Sequence, residues 1–450
     1  MKISYTSSCL VKPAKTTSNG RMSLAEWDQI GYISHIPTIH IYKPPHNDPT
    51  QSNTILENLK DSLSRILVHF YPLAGRLNWI DGGRLELDCN DMGVQFIEAE
   101  TKSKLEDLGE FSTSPEIQYL APRIDYENTP FENLPLMYVQ ITKFQCGAIA
   151  ISPAMSHVIV DGRSASYFLA EWSRLSRGEP LGFAPFLDKK VLRAGEALYT
   201  TPSPDFSPFL PPPLLIGETD DKEERKKETT VTMLKLTKNQ VDFLKNKANE
   251  TRHDKNSRPY SRYETVTGHI WRCASKARGH KSEQLTGLGV SVDIRKRMLP
   301  PVPQNYFGNS TIDVVASGCS GDLISKPLGY AASRVREAID RVTHEYVHST
   351  IDFWKNLDDL SPFQDIHALT GDEGPFYGNP NLGVTSWLTL PFHGLDFGCG
   401  EEIYMGPVTH DIDGDFILFP GQDGDGSMVV RSCLQVPHME AFKKIFYESI

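Results

Sequence analysis

His157, Asp161 and Gly162 form an H-x-x-x-D-G pattern at the end of the mostly apolar run VQITKFQCGAIAISPAMSH. Histidine is the side chain best suited to take a proton near neutral pH, so the pattern offers general-base chemistry. The carboxylate four residues on can orient the ring or fix the local backbone, and Gly162 permits a tight turn. The competing reading is a satisfied structural histidine. Metal binding needs spacing by four on a helical face, whereas this pattern straddles a strand end and no second ligand cluster accompanies it. We therefore expect no metal. Asp411, Asp413 and Asp415 hint at a calcium loop, but the glycine and glutamate such a loop requires are missing, so a hairpin turn is expected.

A second signal is Asp396-Phe397-Gly398-Cys399-Gly400, more than two hundred residues downstream. Taken alone, its glycines mean a tight turn or bulge. The chain has no G-x-S-x-G elbow, no phosphate-binding loop and no G-x-G-x-x-G after a strand. Serine-based covalent catalysis and nucleotide chemistry both lose support.

These residues need elements to position them. Ile55, Leu59, Leu63, Ile66, Leu67 and Phe70 recur at helical spacing, and YPLAGRL breaks that helix. GGRLELDC, GVQFIEAE and the run into His157 read as strands. DGRSASYFLAEWSRLSRG reads as a helix closed by Gly178, so His157 sits where a buried strand yields to a helix. Six prolines from Pro202 to Pro213, followed by DDKEERKKE, mark a linker between lobes; a long surface loop is the alternative. Beyond it, TVTMLKL reads as a strand, YETVTGHIWRCASKAR as a helix burying Val266, Ile270 and Ala274, and MEAFKKIFYESI as a final helix. The expected fold is mixed α/β, divided into an N-terminal lobe 1–198, a linker 199–228 and a C-terminal lobe 229–450.

A chain of 450 residues favours two lobes over one core. The net charge of −11 argues against a nucleic-acid partner, which would need a basic surface. Seven scattered cysteines without C-x-x-C pairing, and the lack of a signal-like or 18-residue apolar stretch, lead us to expect a cytoplasmic protein without a membrane anchor. Asn249 and Asn309 each open an N-x-T triplet, read here as chance matches.

Together, the H-x-x-x-D-G and D-F-G-C-G motifs resemble those of the plant BAHD acyltransferases, in order and spacing and over essentially the whole chain. Within that family, LVKPAKTT, EWDQIGYISHIPTIHIY, LVHFYPLAGRL, SRYETVTGHIWRCASKARGH, NYFGNSTIDVVA and FYGNPNLGVTSW resemble the spermidine hydroxycinnamoyl transferase branch. Cys399 departs from the family pattern, which has tryptophan there; a smaller side chain would alter the wall along which the coenzyme lies. The resemblance implies two chloramphenicol-acetyltransferase-like lobes joined by a crossover loop, with a channel at their interface.

By the same resemblance, His157 is the general base, and Thr385 or Trp387 stabilises the oxyanion. Asp161 pairs with Arg295, and both are structural, as are Gly162, Asp396, Gly398 and Gly400. Tyr260, Ser261 and Arg262 match a region that contacts coenzyme A. Acyl-CoA is then a co-substrate, with no permanently bound cofactor. For the acceptor, relatives that use shikimate or quinate carry an arginine just upstream of the P-N-L-G stretch, where this chain has Thr370-Gly371-Asp372-Glu373-Gly374-Pro375. Carboxylates there favour a cation, so the expected reaction is transfer of a hydroxycinnamoyl group to a polyamine such as spermidine. Thr38, Asp372, Glu373, Glu401 and Glu402 are the acceptor-binding candidates. O-acylation of shikimate, quinate or another alcohol is the alternative, and a non-catalytic binding protein is the alternative of another class. A monomer is expected.

Overall fold

The computed structural model describes all residues except 44–50, 110, 112–113, 194–221, 253–256, 366–368, 370–377, 409–411, 422–423 and 449. Two six-stranded sheets dominate the described residues. The first runs Ile3–Val11, Val94–Thr101, Met137–Phe144, Ile149–Ser156, His35–Lys43, Glu401–Pro407; the second runs Thr229–Leu236, Met428–Gln435, Asp415–Pro420, Leu382–Ser386, Leu285–Asp293, Thr311–Cys319. Both sheets are mixed. Val94–Thr101 lies parallel to Met137–Phe144, and Leu382–Ser386 lies parallel to both of its neighbours.

Helices cover these sheets with the apolar stripes expected of them. In Gln51–Ile66, Leu59, Leu63 and Ile66 are fully buried. Gly162–Ser176 buries Phe168, Leu169, Trp172 and Leu175, and Gly178 follows at a positive φ of 78°. Arg262–Ala277 buries Val266, Ile270 and Ala274, and its first turn is closed by a capping box between Ser261 and Glu264. Val436–Glu448 is the last helix among the described residues.

The expected division placed residues 229–450 and the D-F-G-C-G motif in one lobe. Instead, Glu401–Pro407 is the sixth strand of the first sheet, antiparallel to His35–Lys43. Phe397 and Cys399 are buried in that sheet's core beside Trp172. In the opposite direction, Ala25, Trp27 and Leu192 join the core of the second sheet, where Trp27 meets Trp354 edge to face at 4.8 Å. Each lobe thus donates residues to the other. Sequence periodicity reveals the strand but not the sheet it completes. Of the linker expected at 199–228, residues 199–221 lie outside the described residues.

Among the described residues no helix is long and apolar enough to cross a membrane, and no group of three or more His, Cys, Asp or Glu could hold a metal ion.

Candidate active site

The strand Ile149–Ser156 ends one residue before His157, which opens a short turn leading into the helix Gly162–Ser176. Two anchors hold that turn. The His157 amide donates to Ser34 O at 2.9 Å, and the Asn309 side-chain amide donates to His157 O at 2.8 Å and Val158 O at 3.1 Å. Asn309 is itself held by the fully buried carboxylate of Asp28, which Lys189 approaches at 3.2 Å. The N-x-T triplet at Asn309 is therefore a buried structural device that clamps the histidine turn, and only its place in NYFGNS marked it in the sequence.

Asp161 is the N-cap of the helix, with Oδ1 accepting from the Ser164 amide at 2.9 Å. Arg295 binds it bidentately, Nη1 to Oδ2 and Nη2 to Oδ1, both at 2.9 Å, and the Ser310 amide adds a further bond at 3.0 Å. Burial raises the pKa of this carboxyl, but Arg295 and the two amides outweigh burial and hold it below the usual carboxylate value. Asp161 therefore faces the arginine. Among the described residues the His157 ring has no hydrogen-bonded partner; Tyr32 lies tilted over it at 6.3 Å between ring centres.

His157, Asp161, Gly162, Arg295, Thr38, Thr385 and Trp387 all line one cavity of about 470 Å³ between the two sheets. That size fits a small-molecule site. Thr385 lies near the end of the strand Leu382–Ser386, and Trp387 follows it, its ring packed by Phe392 at 5.0 Å and Phe419 at 5.3 Å. No protein acceptor among the described residues takes the Trp387 indole N–H. A base and two candidate hydrogen-bond donors thus share one cavity. Such a site can remove a proton from a nucleophile and stabilise an oxyanion.

Other candidates lie elsewhere. Tyr260 is buried under Arg336, 4.3 Å from its ring, Ser261 caps the helix Arg262–Ala277, and Arg262 is exposed at its first turn. None of the three lines the cavity; the next residue, Tyr263, does, donating its hydroxyl to Val384 O at 2.8 Å. Helical geometry turns Tyr263 inward, a direction the motif match alone does not supply. Asp396, Gly398 and Gly400 also lie off the cavity. Asp396 takes the Gly398 amide at 2.8 Å, both glycines have positive φ, and Ser176 Oγ donates to Phe397 O at 3.1 Å, fastening the crossing loop to the helix after His157. Cys399 is buried in the core of the first sheet and does not line this cavity.

Of the acceptor-binding acids, Asp372 and Glu373 lie outside the described residues. Glu401 is exposed and off the cavity. Glu402 does not line the cavity: Oε1 lies 2.9 Å from His40 Nδ1 and accepts from the Tyr42 hydroxyl at 3.4 Å, while Oε2 accepts from the Gly394 amide at 2.6 Å. Its sequence neighbours give little sign of this, because two of its three partners, His40 and Tyr42, lie about 360 residues away.

Comparison with known proteins places this geometry. The model of the Transferase family matches residues 1–449. A hydroxycinnamoyl-CoA:piscidic acid hydroxycinnamoyltransferase of Actaea racemosa is 47% identical over 448 residues, covering 99% of both chains. A shikimate O-hydroxycinnamoyltransferase of Nicotiana tabacum is 37% identical over the full length of both. Among solved structures, vinorine synthase superposes with a TM-score of 0.72 at 24% identity, over 98% of this chain and 96% of that one. TRI101 of F. graminearum, solved with coenzyme A and T-2 mycotoxin, gives a TM-score of 0.77 at 18% identity, over 94% and 96%. The chain shares their fold, and it belongs to the Transferase family of BAHD acyltransferases, enzymes that take their acyl group from a CoA thioester.

Proposed function

We propose that this enzyme transfers a hydroxycinnamoyl group from its CoA thioester to a hydroxyl of a hydroxy acid, with His157 as general base. The observation that carries this is the pairing of charges on the cavity wall. Asp161 is engaged by Arg295, Asp293 lies 3.4 Å from the same arginine, and Asp415 lies 3.2 Å from Arg431. By contrast, the exposed guanidinium of Arg163 on that wall has no partner among the described residues. A wall with its carboxylates already paired and a cation to spare suits an anionic acceptor. Of the acids expected to grip a polyamine, Glu402 is engaged by His40, Tyr42 and Gly394, Glu401 lies off the cavity, and Asp372 and Glu373 lie outside the described residues. The two relatives above, named for piscidic acid and shikimate, agree with the oxygen-acylating alternative.

In this reading His157 takes the hydroxyl proton as the oxygen attacks the thioester carbonyl. The new C–O bond forms, and Thr385 or Trp387 donates to the developing oxyanion. Collapse breaks the C–S bond, and the proton on His157 passes to the departing thiolate, leaving an ester and free CoA. Thiol release from hydroxycinnamoyl-CoA, followed with piscidic acid, shikimate and spermidine in parallel, tests the proposal. Faster turnover with a hydroxy acid is expected. A preference for spermidine would defeat it.

A further inference from the structure

A general base delivers its full effect only when its ring is held in one pose, and a displacement of about 1 Å costs about a hundredfold in rate. In many sites a carboxylate on the second ring nitrogen supplies that hold. Here the acid of the motif, Asp161, is committed to Arg295, and the His157 ring has no hydrogen-bonded partner among the described residues. The pose of the ring is therefore set by the backbone that carries it.

That backbone is a tight turn. The Ile159 and Val160 amides both bond back to Ser156 O, at 3.0 and 3.3 Å, and the carbonyls of His157 and Val158 stand outside the helix that begins at Gly162. Asn309 donates to both: Nδ2 lies 2.8 Å from His157 O, 3.1 Å from Val158 O and 3.2 Å from Asp28 Oδ1. Three acceptors surround that atom, so it is the amide nitrogen, and its two protons face them. The Asn309 backbone amide donates to the same Asp28 oxygen at 3.0 Å, so one carboxylate fixes the residue at its backbone and at its side-chain amide. Asp28 in turn is fully buried and accepts from the Ala25 amide at 3.1 Å. It also meets the buried Lys189 ammonium at 3.2 Å, which donates to Phe307 O at the same distance. Asn309 leads into the strand Thr311–Cys319 of the second sheet, whereas His157 follows a strand of the first.

We infer that Asn309, braced by Asp28 and Lys189, is the positioning residue of the general base, and that it does through two backbone carbonyls what an orienting carboxylate does through the ring. The inference rests on the general-base reading of His157. An orienting carboxylate places the ring and also favours its charged form, so its loss changes both. Asn309 bonds only to the backbone, so its loss changes the place alone. The clamp comes from the second sheet and the histidine from the first, so the pose of the base depends on contact between the lobes.

Steady-state kinetics and hydrogen exchange of the full-length enzyme test this, at a temperature where each variant is folded. Asn309→Ala should lower kcat per folded molecule by about a hundredfold, with KM for acyl-CoA near wild type and the acid limb of the pH–rate profile unmoved. Hydrogen exchange read by mass spectrometry should become faster in the peptide covering residues 154–162 and stay as it was in the core of the second sheet. A kcat near wild type, whatever happens to Tm, would make Asn309 a structural residue only and overturn the inference. A displaced acid limb would also overturn it, because the effect would then run through the charge of the ring. So would a lost kcat with unchanged exchange. Asp28→Asn combined with Lys189→Met removes the buried charges as a pair and leaves Asn309 without its brace, so the same pattern is expected; this variant decides the matter if Asn309→Ala does not fold. If His157→Ala keeps most of kcat, the general-base reading fails on its own account, while hydrogen exchange still decides whether Asn309 holds the turn.

Discussion

Both carboxylate oxygens of Asp161 are taken by Arg295 at 2.9 Å, so the acid of the H-x-x-x-D-G motif braces the lobe interface and does not orient the histidine. Removing one member leaves the other charge buried and unpaired, which costs about 3–5 kcal/mol in such sites. Asp161→Asn and Arg295→Ala should each lower Tm sharply. An unchanged Tm with collapsed activity would assign Asp161 a catalytic role instead.

His157 has no hydrogen-bonded ring partner among the described residues and is only partly buried, so its removal disturbs little else. His157→Ala should cut kcat by about 10²–10⁴-fold while Tm and acyl-CoA binding stay near wild type. Retention of most of kcat would refute the general-base assignment.

Thr385 and Trp387 compete for one role. Loss of a true oxyanion donor costs about 3 kcal/mol in the barrier. Thr385→Val and Trp387→Phe keep shape and remove one donor each, so only one should lower kcat by that margin with KM little changed. Equal, small effects would mean that neither group contacts the oxyanion.

Arg163 offers an exposed cation on the cavity wall. Arg163→Gln should raise KM for an acidic acceptor by about tenfold and weaken the salt dependence of that KM, with a neutral alcohol unaffected. If acid and neutral acceptors respond alike, Arg163 does not read the carboxylate.

Acid stability carries a second signature. Burial would raise the Glu264 pKa, but Arg336, Arg258 and the Ser261 amide reverse this and bring it down from 4.5 to about 2. A depressed folded-state pKa means that the contribution is complete above about 4.5 and disappears as pH falls towards about 2. Denaturation measured across that window should show stability falling with pH, and Glu264→Gln should flatten the slope. An identical slope in the variant would remove Glu264 from the account.

How far the sequence reveals the site depends on how local each cause is. The helix after His157 is legible because its N-cap, apolar stripe and closing Gly178 all lie within twenty residues. The pairing of Asp161 with Arg295 came through family resemblance, since no local pattern joins residues 134 apart. Glu402 reads in the sequence as an acceptor-binding acid because its partners His40 and Tyr42 reach it only through a strand pairing formed in the folded chain. Tyr263 was passed over for Tyr260 because a motif identifies a stretch, whereas the inward-facing member is chosen by the helix's rotation. Asn309 looked like a chance sequon because its role is to hold backbone carbonyls, which leave no trace in residue type.

The donated strand Glu401–Pro407 covers an edge that His35–Lys43 would otherwise expose. A fragment ending at residue 198 would carry that edge bare, with a row of unpaired backbone amides and carbonyls beside the apolar Ile39 and Ile41. Such a fragment should self-associate, and a separate chain of residues 229–450 should rescue it by supplying the missing strand. The cavity is therefore a property of the reassembled pair: its wall draws on both halves, and the buried His40 ring beside Thr38 meets a carboxylate, Glu402, that arrives from the far half of the polypeptide.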